Sequence, residues 1–222
     1  MKRVLSIVAI VAVSGLSAAA PIAIDRTAVR FDAPEMGGPS RPQFVFEREL
    51  AFEARLEALA DSDRTERKGG YVDRHVRSAL ERHIAEELLA HLPMDPEPDA
   101  DDVARRLGAT RALLEQRVGG AVPLAEAAKA EGVGTNEIHR FVVREARASL
   151  YLDRMVAPML APSEAELREV HRSANNPFRG QRFDEIEKSL RQWFVSQRLE
   201  AALAAFYQNA RSRVHVVIIP RE

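Results

Sequence analysis

The sequence predicts a mainly α protein: a succession of amphipathic helices, a long C-terminal helix, and a small β-pairing between strands from the two ends of the chain. Three observations predict this. Apolar residues recur at helical spacing through most of the chain, for example at Val72, Val76, Leu80, Ile84 and Leu88. From Asp184 onward a helical pattern continues for about 25 residues, roughly 40 Å at 1.5 Å per residue. Only Ile22 to Phe31 and Val214 to Ile219 read as strands, and since a strand needs a partner, the two chain ends should pair.

The chain has 222 residues, 46% apolar, 29% charged and 6% aromatic, with no cysteine, which is the composition of one soluble domain with an ordinary core. Without cysteine, disulfides, thiolate metal sites and a cysteine nucleophile are excluded. Lys plus Arg number 32 against 33 Asp plus Glu, so no electropositive field points to nucleic acid.

Residues 1–20 carry Lys2 and Arg3, then an entirely apolar or small run from Val4 to Ala20. This reads as a secretory signal, residues 1–19, cleaved after Ala19 or Ala20; the alternative is a retained anchor. The mature chain, residues 20–222, is then expected to be periplasmic, without a stable membrane span.

After the first strand, Ala33 to Pro42 holds three prolines and two glycines and reads as a loop. A helix is expected from Phe44 to Ala60 on the spacing of Val45, Phe52, Leu56 and Leu59, and residues 61–70 read as a linker. The second helix, Tyr71 to Leu92, ends at Pro93, where the acidic, proline-rich residues 93–100 form another solvated linker. Val103, Leu107, Leu114 and Val118 mark a third helix capped near Asp101 or Asp102 and stopped by Gly119-Gly120. A short helix, Pro123 to Glu131, turns inward Leu124, Ala127 and Ala128. Past the turn Gly132-Val133-Gly134, Thr135 or Asn136 should cap a helix lined by Ile138, Phe141, Val142, Leu152, Met155 and Val156. Ser163-x-x-Glu166 is a capping box that opens another helix with Leu167 and Val170. Asn175, Asn176, Pro177 and Gly180 form a loop before the long helix, whose Ile186, Leu190, Trp193, Phe194, Leu203, Phe206 and Tyr207 occupy much of its circumference.

The search for chemistry is negative. The six histidines show no His-x-x-x-His or Glu-x-x-His pattern. His75, His83 and His91 recur every eight residues, about 12 Å apart on a helix, too far for one ion, and read as solvated surface groups. The arginine-rich helix faces, balanced by glutamates, read as solvated too. Gly132-x-Gly134 lacks the third glycine and preceding strand of a phosphate loop and reads as a helix-to-helix turn. The acidic run from Asp95 to Asp102 is broken by prolines and cannot form an EF-hand loop. No catalytic residue, cofactor or metal ligand is expected. What remains is apolar surface: Met155, Met159, Trp193, Phe194, Phe206 and Tyr207 are flexible or flat side chains suited to a groove for varied peptides, and any one of them is also suited to a core.

The order of these parts resembles that of the SurA family of periplasmic chaperones, related to the PrsA and PpiC proteins. The resemblance rests on Arg26-Thr-Ala-Val-Arg-Phe31, the helix near Phe44, the helix Tyr71 to Leu92, and Ala130-Glu-Gly-Val-Gly-Thr-Asn-Glu137. It continues through Val143-Arg-Glu-Ala-Arg147, Leu152-Asp-Arg-Met-Val156, Pro162-Ser-Glu-Ala-Glu-Leu167 and the segment from Phe183 to Val216. None of these short motifs is specific alone; their order in one chain is moderately so. The family inserts parvulin prolyl-isomerase domains of about a hundred residues between the last two helices. Here the interval 173–182 is far too short for one. The resemblance therefore implies an ATP-independent, peptide-binding holdase for unfolded secreted or outer-membrane proteins, with extended polypeptides as partners and no enzymatic activity. The alternatives are a degenerate or active prolyl isomerase, or a dedicated secretion or assembly partner for one client.

Overall fold

In the computed structural model, residues 25–61, 70–173 and 175–220 are described, the side chains of 207–211 excepted. The expected signal segment, residues 22–24 of the first strand and most of the 61–70 linker lie outside the described residues. The chain is mainly helical with a small antiparallel sheet, as its periodicity predicts. No helix among the described residues is long and apolar enough to cross a membrane.

The sheet has the order β2-β1-β3, with β1 (Thr27–Asp32) between β2 (Gln43–Phe46) and β3 (His215–Ile218). The two chain ends do pair: Val29 lies opposite Ile218 and Phe31 opposite Val216. β2 is a correction, because the expected helix begins at Glu47 rather than Phe44. Phe44, Val45 and Phe46 alternate exposed, buried, exposed, and β-favouring residues beside an open β1 edge extend rather than coil.

Helix α1 (Glu47–Ala60) is central. Its Leu50 and Ala54 join Val29, Phe31, Val45, Ala79 and Leu88 in one apolar cluster, while Phe52 and Leu56 face another built with Leu114, Leu124 and Phe141. Helices α2 (Asp73–His91), α3 (Ala100–Val118), α4 (Ala121–Ala130) and α5 (Thr135–Tyr151) pack around it. The cap of α3 is Asp99, whose side chain accepts from the Asp102 amide at 2.7 Å, not Asp101 or Asp102, and Gly119 ends the helix at φ 93°. At α5 the cap is Gly134, whose N–H donates to Glu137 Oε2 at 2.7 Å, rather than Thr135 or Asn136. The acidic linker after α2 is not wholly solvated: Met94 is buried.

After α5 the chain widens into a π turn (Leu152–Val156) and then tightens through a 3-10 turn (Ala157–Leu160) into α6 (Glu164–Arg172), where Ser163 caps as its capping box predicts. Asn176 then closes α6. Its Nδ2 donates to the carbonyls of Val170, His171 and Ser173 at 3.1, 3.0 and 2.9 Å, and its Oδ1 accepts from the Phe178 amide at 2.9 Å. Replacing this buried donor by aspartate sets a carboxylate against three carbonyls. Asn176→Asp is expected to lower unfolding free energy by about 1–3 kcal/mol, read by urea titration; a change below the error of the fit would remove Asn176 as the clasp.

Helix α7 (Phe183–Arg211) has 29 residues, about 43 Å. Ile186 and Leu190 are buried against Leu167 of α6 in a third cluster, and Phe206 packs against the sheet cluster. Arg198 bridges Leu160 O at 3.1 Å and Glu166, tying the middle of α7 to the preceding turn. The helix thus carries the chain from the α6 end back to the sheet, where β3 pairs.

Candidate functional site

Two features stand out, one on the sheet and one inside the helices. Antiparallel register sets which side chains of the sheet share a face. Val29, Phe31 and Val45 point to the helices and are buried. Arg30 lies opposite both Phe44 and Val217, so these face the other way, together with Phe46 and Ile219 two residues further along their strands. Among the described residues that outer face is left partly open: Phe44 is 48% exposed, Phe46 40%, Val217 39% and Ile219 36%.

β3 is also an open edge, with no strand beyond it among the described residues. The Ile219 amide donates to Ala28 O at 2.9 Å. Ladder bonds in an antiparallel pair fall on alternate residues, so the backbone groups of Val217 and His215 also face β1, while those of Val216 and Ile218 face outward. Edges are ordinarily blunted by lysine, proline within the strand or a cover. Here the edge reads Val216-Val217-Ile218, and both its faces are accessible, Ile218 to 71%.

The residues expected to line a groove are placed as follows. Trp193 and Phe194 are half-buried neighbours with ring centroids 6.5 Å apart in the α6–α7 cluster. Met155 is half-buried in the π turn, and Met159 is 76% exposed on the turn beside α7. Phe206, half-buried, lies thirteen residues beyond Trp193, roughly 20 Å along the helix and under the sheet. The Tyr207 side chain lies outside the described residues. The sheet residues Phe44, Phe46, Val217 and Ile219 were not foreseen as a surface. Their signal was present: a strand apolar on both faces belongs in a sheet covered on both sides, and this sheet is covered on one.

The second feature is a buried ionic seam. Arg144 of α5 donates to Glu53 at 2.6 Å, Glu86 at 3.2 Å and Glu49 at 3.3 Å, with its guanidinium 5.2 Å from the Phe141 ring centre. His83 Nδ1 lies 2.9 Å from the same Glu53 oxygen, and since a carboxylate only accepts, that nitrogen carries the proton. The seam continues through Arg82–Glu57 at 2.8 Å and Arg117–Glu145 at 3.9 Å. Burial pushes Glu53 up, but Arg144 and His83 outweigh it and hold the carboxyl at about 2. Burial pushes Glu86 up to about 7 against the pull of Arg144, and raises Glu49 and Glu145 as well.

This corrects the expectation of solvated histidines and arginine faces. His75, His83 and Arg144 are buried, and only His91 of the histidine row is open to solvent. The reason is tertiary: α2 packs its His75 and His83 side against α1 and α5. His75 satisfies the start of α2, its Nδ1 accepting from the Val72 amide at 3.2 Å while Nε2 faces Asp61 at 3.1 Å. Gly132-Val133-Gly134 is the helix-to-helix turn expected, with the Gly132 carbonyl accepting from Arg48 at 2.7 Å.

No family model, curated protein or solved structure matches the chain.

Proposed function

We propose that the protein is an exported, ATP-independent holdase that captures extended apolar segments of unfolded polypeptides, by strand addition at β3. The observation that supports this reading is the open apolar edge and bare outer face of the sheet. A polypeptide laid along β3 would meet the outward backbone groups of Val216 and Ile218, while its alternate side chains meet Val217 and Ile219 on one face. A few main-chain bonds at about 1 kcal/mol each, offset by the cost of ordering the client, give weak and reversible capture. That is what a binder without a nucleotide cycle needs, since release must occur by dissociation alone. Export and periplasmic residence belong to the same proposal and rest on the N-terminal sequence.

The test is aggregation of a chemically unfolded outer-membrane barrel protein on dilution. Equimolar mature protein is expected to suppress light scattering at least several-fold. Ile218→Pro removes an amide that points away from β1, and Val217→Lys charges the outer face; each should abolish suppression with little change in Tm. Full suppression by both variants would remove the sheet edge as the site. Protection of a single client among several would favour the dedicated assembly partner.

A further inference from the structure

We infer that Glu49, Glu53 and His83 form a binding site for one divalent cation, of the class that accepts mixed imidazole and carboxylate ligands, as zinc does. One donor atom from each of the three lies within 4.8 Å of the other two; the Nδ1 proton that His83 holds against Glu53 in the metal-free chain is displaced when the ion binds, because ligation requires an unprotonated imidazole nitrogen. A tetrahedral ion about 2.1 Å from each ligand needs donor separations near 3.4 Å, so side-chain adjustments of about 1 Å complete the set. Glu49 and Glu53 are one turn apart on α1, and His83 comes from α2, which packs directly on it.

Two independent observations point to a missing positive partner. Glu53 is 3% exposed, yet its Oε2 has no hydrogen-bond partner, while Oε1 serves both Arg144 and His83. A cavity of about 40 Å³, lined by Glu49, Glu53, Asp25, Glu137, Arg140 and Phe46, reaches the two carboxylates of the site. That is room for an ion or a water or two; Asp25 and Glu137 on the rim both pair with Arg48, so the carboxylates of Glu49 and Glu53 are the ones left to meet a cation.

Arg144 does not fill the site: it engages Oε1 of Glu53 and Oε1 of Glu49 and so orients both carboxylates from behind, as outer partners of ligating carboxylates do. Three protein ligands leave a fourth position, open toward the cavity, for water.

The test is calorimetric titration of chelator-treated mature protein with Zn²⁺, alongside Mg²⁺. One Zn²⁺ per chain is expected, Mg²⁺ binding at least 10-fold more weakly, with Tm rising as Zn²⁺ is added. Glu49 is half-exposed, so Glu49→Gln should fold normally, as judged by its Tm in chelator, and should weaken Zn²⁺ at least 10-fold. The exposed pair His91 and Glu87 supplies the control. Binding lost in His91→Ala but unchanged in Glu49→Gln is adventitious surface binding and overturns the site, as does the absence of any binding. A water alone filling the cavity gives that last result.

Discussion

Replacing Arg144 by methionine is expected to destabilise the protein by about 3–5 kcal/mol, because removing one partner of a buried ionic cluster leaves the others uncompensated. Glu53 and Glu86 lose their guanidinium while both carboxylates are buried. For a chain of this size that is roughly a 10 °C fall in Tm. Urea unfolding in chelator-containing buffer measures it, and a loss below 1 kcal/mol would show that the seam is not held by Arg144.

The same cluster sets a pH dependence with two limbs. Glu53 is held at about 2, below its unfolded value near 4.5, so its contribution is complete above pH 4.5 and drains away as pH falls toward 2. Glu86 has the opposite sign. Its folded value of about 7 lies above 4.5, so the fold favours the protonated acid, and ionising it costs stability as pH rises from 4.5 through 7. Wild-type stability from this cluster should therefore be greatest near pH 4–5, and Glu86→Gln should flatten the neutral limb. The penalty of Arg144→Met should be larger at pH 8 than at pH 5, since a protonated carboxyl needs no cation. A neutral limb that keeps its slope in Glu86→Gln would assign it to another group.

Phe31→Ala is expected to cost about 3–5 kcal/mol, the range for deleting a fully buried aromatic ring. Phe31 is wholly buried on the middle strand, with Val216 opposite it on β3 and the His83 ring edge-on at 6.4 Å. The ring therefore joins the sheet, the end of the chain and the ionic seam. Its loss should loosen β3 first, because among the described residues that strand pairs with β1 alone and, unlike β2, does not run straight into the packed helix α1. Hydrogen exchange at the Val217 and Ile219 amides should accelerate more than at α5 amides, and uniform acceleration would mean that the sheet opens only with the whole fold.

The helices were legible because their information is local. Val76, Leu80, Ile84 and Leu88 repeat at one turn, Ser163-x-x-Glu166 caps in place, and Gly119 ends α3 at a positive φ that other residues resist. The pairing of the chain ends was legible for a different reason, the shortage of other strand-like segments. β2 was not, because Val45, Phe52, Leu56 and Leu59 match a helical row whether or not the first of them coils, and only the open edge of β1 decides that it extends.

The candidate sites show the same division. Sequence marked Trp193, Phe194, Met155 and Met159 as apolar and adaptable, but it could not say that Phe44 and Phe46 share a face with Val217, which is 171 positions from Phe46. Nor could it see the seam. Glu49, Glu53, His83 and Arg144 each read as one more charge on a balanced helix, since a heptad pattern ranks residues by type and not by what will pack on them.

By itself, then, the sequence determined the helices, though not every end of them, and the fact that the two chain ends pair, because these follow from spacing and strand preference over a few residues. Only the tertiary structure decided which charges are buried and which apolar residues stay bare. Both depend on which faces of distant elements meet, and that is settled by packing α1 between the sheet and the helices, leaving the other side of the sheet uncovered among the described residues.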